Sequence, residues 1–304
     1  MRTLLVIAIA GAAAQLVDGG IGMGFGATST SLLLLLAGLG PAQASAVVHT
    51  AGVGTTLVSG LSHWHFNNVN WSVVLRLGVP GAIASFAGAT VLSTISLEAA
   101  TPVTSAILVL IGANLVWRFS RRQVRVHHTG QRHSTWFLGG LGLVGGFVDA
   151  SGGGGWGPVT TSTLMGIGRE EPRRIVGTVS ASEFLVSLGA TLGFAVGLWD
   201  DLTANAAAVG ALLIGGMLTA PVAAWLVNRL NPVALGCMVG AAIVALNIDG
   251  VVPGTPAWVI IALLVIGAAL SARAVYRLRR VTAVAIAEQQ PSGREDLTSP
   301  LPHR

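Results

Sequence analysis

The chain has 304 residues, 52% of them hydrophobic and only 10% charged, against about 25% charged in ordinary soluble domains. A surface so poor in charge could not be kept in water, so the composition argues against a soluble helical core and makes lipid the solvent. The net charge of +5 rests on 17 basic residues, all of them arginine. It is too small and too clustered to indicate nucleic acid, and a single cysteine, Cys237, leaves no disulfide framework.

In chain order, residues 3–37 come first, an apolar stretch too long and too interrupted by glycine for one span. Arg2, the run Leu4–Ala10 and the small residues Ala12–Ala14 would suit a secretory signal peptide. The same kind of stretch recurs in mid-chain, however, where no signal peptide can stand. We therefore read two half-helices, about 3–17 and 28–37, joined as a re-entrant hairpin. Apolar stretches at 42–62, 72–95 and 101–118 follow, near the roughly 20 residues that cross a hydrocarbon core. The arginine-rich residues 118–133 should face the cytoplasm. A second hairpin is expected at 135–148 and 158–167, then spans at 174–199, 203–228 and 232–248, the last of them short. An additional helix at 256–276 leads to a polar tail, Glu288–Arg304, expected to be disordered.

The two hairpins share a motif. Residues 18–32 read DGGIGMGFGATSTSL and residues 149–163 read DASGGGGWGPVTTST. In register, Asp18 meets Asp149, Gly22 meets Gly153, Gly24 meets Gly155, Phe25 meets Trp156 and Gly26 meets Gly157; with no gap, Pro41 then meets Pro172. The expected fold is thus an all-α membrane bundle of two repeats, 1–119 and 134–250. A basic cytoplasmic loop at 120–133 separates them, and an additional helix at 251–280 and the tail 281–304 follow. Each repeat holds one hairpin and three spans. An odd number of spans makes the second repeat enter from the opposite side, which is an inverted repeat. The loop 118–133, Arg169, Arg173, Arg174 and Arg273–Arg280 then lie in the cytoplasm, Asp200 and Asp201 outside, and the N-terminus outside. Arg2 speaks against that last placement, and an N-terminus inside follows if residues 3–37 cross the membrane.

An interrupted helix in lipid is tolerated only where its backbone is buried in protein or lines a polar cavity. The glycine runs permit close approach to a ligand, and each ends where a helix should begin. Helix N-termini bind anions, so the expected substrate site is Gly22, Gly24, Gly26, Thr28 and Ser29 with Gly153, Gly154, Gly155, Trp156, Thr160 and Thr161. The competing reading is that the glycines only let helices pack closely. Ionisable residues inside a bilayer are functional candidates: Asp18, Asp149, His49 and Glu183 are candidates for coupling or gating, though the two aspartates could equally brace the glycine loops. In the loop HWHFNNVNW, His63 and Asn68 are candidates for gating, against a plain role of Trp64 and Trp71 as interfacial anchors. His63 and His65 alone make a weak metal-ligand set, and neither a metal site nor a cofactor is expected. HExxH and GxSxG are absent, and a chain without lysine has no Walker motif, so an enzyme is not expected. The expected partners are a small anion and membrane lipid, with a homodimer left open.

At DGGIGMGFGATSTSLLL (18–34), SAVVHTAGVGTTLVSGLSHWHFNNVNW (45–71), GGFVDASGGGGWGPVTTSTLM (145–165) and GTVSASEF (177–184) the chain resembles the sulfite exporter TauE/SafE family of membrane transporters. The resemblance covers roughly residues 10–250. It implies a helical bundle in the inner membrane that moves sulfite, sulfonates or related sulfur-containing anions by secondary, proton-linked transport. A passive anion channel and a metal-ion exporter using His49, His63 and His65 are the other readings of the same residues.

Overall fold

The computed structural model describes residues 2–121, 133–167, 169–226 and 232–289. These form twelve helices, with no strand among the described residues: α1 (Arg2–Ile21), α2 (Phe25–Leu36), α3 (Pro41–His65), α4 (Trp71–Thr94), α5 (Leu97–Arg121), α6 (Thr135–Gly152), α7 (Trp156–Ile167), α8 (Pro172–Gly197), α9 (Trp199–Ala204), α10 (Ala206–Leu226), α11 (Pro232–Val251) and α12 (Ala257–Gln289). Seven of them, α1, α3, α4, α5, α8, α10 and α12, are long and apolar enough to cross a membrane; α2 and residues 236–251 of α11 are apolar but shorter. The outward faces are apolar as well: Leu110, Val196 and Leu218 are 69–73% exposed, which suits hydrocarbon and not water.

Helix starts follow local chemistry. Pro41 and Pro172 open α3 and α8, where a missing N–H costs nothing and the fixed φ suits a first helical residue. Gln43 adds a cap by accepting the Gly40 N–H at 3.1 Å. The hairpin helices run further than expected. α1 continues to Ile21 and α2 already begins at Phe25; α6 continues to Gly152 and α7 begins at Trp156. Helical hydrogen bonding persists through Gly19 and Gly20, and the chain breaks only where φ turns positive. Asp18 and Asp149 consequently sit within the last turn of their helices, not at the ends. The additional C-terminal helix also continues, from the expected 276 to Gln289. Residues 122–132 and 290–304, most of the expected basic loop and tail, lie outside the described residues.

Packing follows an exchange pattern. α3 and α8 pack together at the centre, and α5 packs on α11. α1 packs on α10 while α6 packs on α4, and α3 touches α10 as α8 touches α4. α12 lies against α11 with a smaller contact to α5. Matched aromatic residues anchor the two hairpins: Phe25 packs in a core with Leu33, Val48 and Leu212, and Trp156 in one with Leu164, Val179 and Leu77. Small residues permit the close crossings. A side-chain carbon on Gly146 of α6 would stand 2.1 Å from the Gly81 carbonyl of α4.

Candidate functional site

The two helix breaks meet. In the first, Gly22 has φ +69° and Gly24 +125°; in the second, Gly153 has +71° and Gly154 +141°. Gly22 and Gly153, which share a register position, therefore share a left-handed conformation that only glycine adopts without strain. Thr161 Oγ1 of α7 donates to the Gly22 carbonyl at 2.6 Å. Thr30 Oγ1 of α2, at the position matching Thr161, donates to the Gly153 carbonyl. The turns touch backbone to backbone: a Cβ on Gly154 would lie 2.0 Å from the Ala27 nitrogen, and one on Gly157 would lie 2.6 Å from the Gly22 oxygen. Gly26 faces the Gly154 Cα in the same contact.

The helix N-termini at this crossing are capped by the chain itself. Asp149 Oδ1 accepts the Gly155 N–H at 2.7 Å and the Trp156 N–H at 2.9 Å, at the start of α7. Phe25 N–H, at the start of α2, donates to the Asp18 carboxylate. Each aspartate thus reaches the residue seven positions on. Asp149 Oδ2 has no hydrogen bond among the described residues and lies 3.8 Å from His49 Nδ1 of α3. His49 Nε2 approaches the Asp149 carbonyl at 3.4 Å, and its ring stacks on Phe194. Ser45 Oγ, one turn before His49, donates to the Ala150 carbonyl at 3.0 Å. Glu183 of α8 is 7% exposed and lies within electrostatic reach of both Asp18 and Asp149. Asp18, His49, Asp149 and Glu183 are therefore gathered from four helices into one buried cluster beside the crossing.

The other expected site residues divide. Ser29 Oγ and Thr28 Oγ1 are buried without a hydrogen-bond partner among the described residues. Around Gly24 the nearest atoms to an added Cβ are Val17 at 3.4 Å and Thr28 Oγ1 at 3.5 Å, whereas at Gly155 Val148 stands at 2.8 Å. Thr160 Oγ1 is turned to its own helix, donating to the Trp156 carbonyl. Trp156 is wholly buried and its indole donates to the Val179 carbonyl at 3.2 Å, tying α7 to α8. His63 and Asn68 are not part of the cluster. His63 lies 14 residues beyond His49 on α3, about 21 Å at the helical rise. Both of its ring nitrogens are buried without partners among the described residues, and its carbonyl accepts the Asn68 N–H at 2.9 Å.

Two features were not anticipated. Gln15, Ser59 and Ser180 form a buried chain across α1, α3 and α8, with Ser59 and Ser180 oxygens 2.7 Å apart and Gln15 Nε2 3.4 Å from Ser59 Oγ. A cavity of about 830 Å³ opens between α5, α6 and α7, bordered by Ile107, Asn114, Arg118, Val148, Pro158 and Ser162. It touches the second break from outside, through Val148 and the first turn of α7. Among the described residues no group of three or more His, Cys, Asp or Glu side chains could hold a metal ion.

A chain whose described residues hold helices and no strand, seven of those helices apolar and of membrane length, with broken helices crossing at a buried polar cluster, is a multi-pass membrane protein. The sulfite exporter TauE/SafE family model matches residues 7–249, and the chain belongs to that family of membrane transporters. It is 43% identical over 251 residues to the "Probable membrane transporter protein YtnM" of Bacillus subtilis (strain 168), a match covering 81% of this chain and 82% of that protein. No solved structure matches.

Proposed function

We propose that the chain is a secondary transporter of small anions, with sulfite, sulfonates or related sulfur-containing anions as its substrates. It works as an exporter in the inner membrane, by alternating access between two inverted repeats, with its C-terminus in the cytoplasm. The observation that carries this reading is the cap on α7. Two backbone N–H groups at a helix N-terminus already hold a negatively charged oxygen, that of Asp149, at 2.7 and 2.9 Å. A sulfite or sulfonate oxygen offers the same charge and the same acceptor geometry. The exchanged threonine bonds and the exchanged packing of α1 on α10 and α6 on α4 support two related halves that rock about the crossing.

The test is flux. Protein reconstituted into liposomes loaded with sulfite, sulfoacetate or thiosulfate should release at least one of them, faster when an imposed pH gradient drives it. Release indifferent to every imposed gradient would replace the transporter by a passive channel. No release of any of the three would overturn the anion reading.

A further inference from the structure

We infer that the Asp149 carboxylate is an internal substitute for the transported anion, seated on the N-terminus of α7 until a proton delivered by way of His49 releases it. This rests on the anion-transport reading of the same site. The N–H groups an incoming anion would use, those of Gly155 and Trp156, are occupied by Asp149 Oδ1, so an anion reaches them only by displacing that oxygen. The other oxygen, Oδ2, belongs to a residue 2% exposed and has no hydrogen bond among the described residues. His49 Nδ1 stands beside it at 3.8 Å, too far for a hydrogen bond in this arrangement but within a small side-chain movement of one.

The charges around the site argue for exchange and not addition. Asp149 is faced by Asp18 of α1, His49 of α3 and Glu183 of α8, so with Asp149 itself the cluster holds three acids and one base. α7 carries no ionisable residue, and those of α4 and α5 (Arg76, Glu98, Arg118, Arg121) lie toward the ends of their helices. A further anion in so dry a cluster would meet strong repulsion unless one negative charge were removed. One proton does this. It comes from bulk water, passes to His49 and then to Asp149 Oδ2. The neutral acid is a weaker acceptor than the carboxylate, swings off the α7 N-terminus and leaves the Gly155 and Trp156 N–H groups to the anion. One proton enters with one negative charge, and the charge of the cluster is unchanged.

The two halves differ here in a telling way. Asp18 caps α2 as Asp149 caps α7, but the position in α8 that matches His49 is Ser180, which is bonded to Ser59. A histidine therefore stands at only one of the two caps, and the inference is confined to Asp149.

Methanesulfonate is the probe, because it stays ionised throughout the working pH range. Binding to the purified full chain is followed in weak buffer with a pH indicator, and the Kd is measured at pH 6 and pH 8. The wild type should take up about one proton per anion, and its affinity should fall by roughly tenfold per pH unit where the proton must come from solution. In Asp149→Asn and in Asp149→Ser, each of which keeps a cap oxygen without a charge, uptake should drop to near zero and the two Kd values should agree within about twofold. Wild-type binding without proton uptake would overturn the inference, as would wild-type uptake in both variants. If the wild type binds methanesulfonate at no pH and releases no anion from liposomes, the anion-transport reading fails and this inference falls with it. Anion flux without the proton signature would sink this inference alone.

Discussion

Thr161 donates its hydroxyl hydrogen to the carbonyl of Gly22, a residue 139 positions earlier, at 2.6 Å. Thr30 makes the matching bond to Gly153. Both acceptors are buried carbonyls at chain breaks, where no helical partner exists. Thr161→Val and Thr30→Val keep the shape and remove the donor, leaving a buried oxygen unpaired at about 1–3 kcal/mol. Each should lower the thermal unfolding midpoint in detergent by several degrees. Thr160→Val, whose hydroxyl only returns to the Trp156 carbonyl of its own helix, should shift it much less. Equal shifts for Thr160→Val and Thr161→Val would remove the special role of the crossing bonds.

Gly154 and Gly24 separate two uses of glycine. At Gly154 a Cβ would fall 2.0 Å from the Ala27 nitrogen, while at Gly24 the nearest atom is 3.4 Å away. Gly154→Ala should prevent the hairpins from crossing, giving aggregated protein on size exclusion. Gly24→Ala should fold and remain monodisperse, with backbone strain of about 1–3 kcal/mol as its only cost. A monodisperse Gly154→Ala would mean that the crossing can open.

Trp156 fills the junction of α7 and α8 and donates to Val179. Trp156→Ala should cost about 3–5 kcal/mol from the cavity it leaves. Trp156→Phe should cost less, losing mainly the indole bond to the Val179 carbonyl. Thermal unfolding of the two variants checks this order, and a Phe variant as unstable as the Ala variant would contradict it.

The proposed orientation is checked by labelling. Single cysteines at residues 125 and 200, in a Cys237→Ser background, are treated with an impermeant thiol reagent in intact cells. Position 200 should label and position 125 should not. The reverse would invert the assignment of sides, and labelling at both would break it.

Much of this arrangement was written in the register of the two glycine motifs. Aligning Asp18 with Asp149 places Gly22 on Gly153, and these two do adopt the same backbone conformation. The caps were only half legible. An aspartate near each glycine run suggested a brace, but its reach to a residue seven positions on depends on how the turn folds, which no periodicity encodes. Thr30 was hidden for a related reason. Three consecutive hydroxyl residues, Thr28, Ser29 and Thr30, point around a helix in different directions, and only the tertiary crossing selects the one that bonds across. Ser59 and Ser180 read as ordinary serines of membrane helices, which usually bond back to their own carbonyls, until α3 and α8 are laid side by side. The extent of α1 and α6 escaped because glycine pairs argue for a break, whereas burial against neighbouring helices, of Gly19 on Ala223 and of Gly152 on Ile107, holds both in helical form.

The packing of α1 on α10 also governs how the protein must be made. α1 finds its principal neighbour, α10, only after some two hundred further residues have been synthesised, and the Gly22 carbonyl waits for Thr161 through most of that interval. Until then the early hairpin holds an uncapped carbonyl and small-residue grooves with nothing in them. Its assembly is a late, long-range event of high contact order, and the first half of the chain on its own lacks the surfaces that would complete it. Supplying the second half as a separate polypeptide should restore those surfaces, since the main partner of α1 is α10, residues 206–226, with only a smaller contact to α2, which follows it.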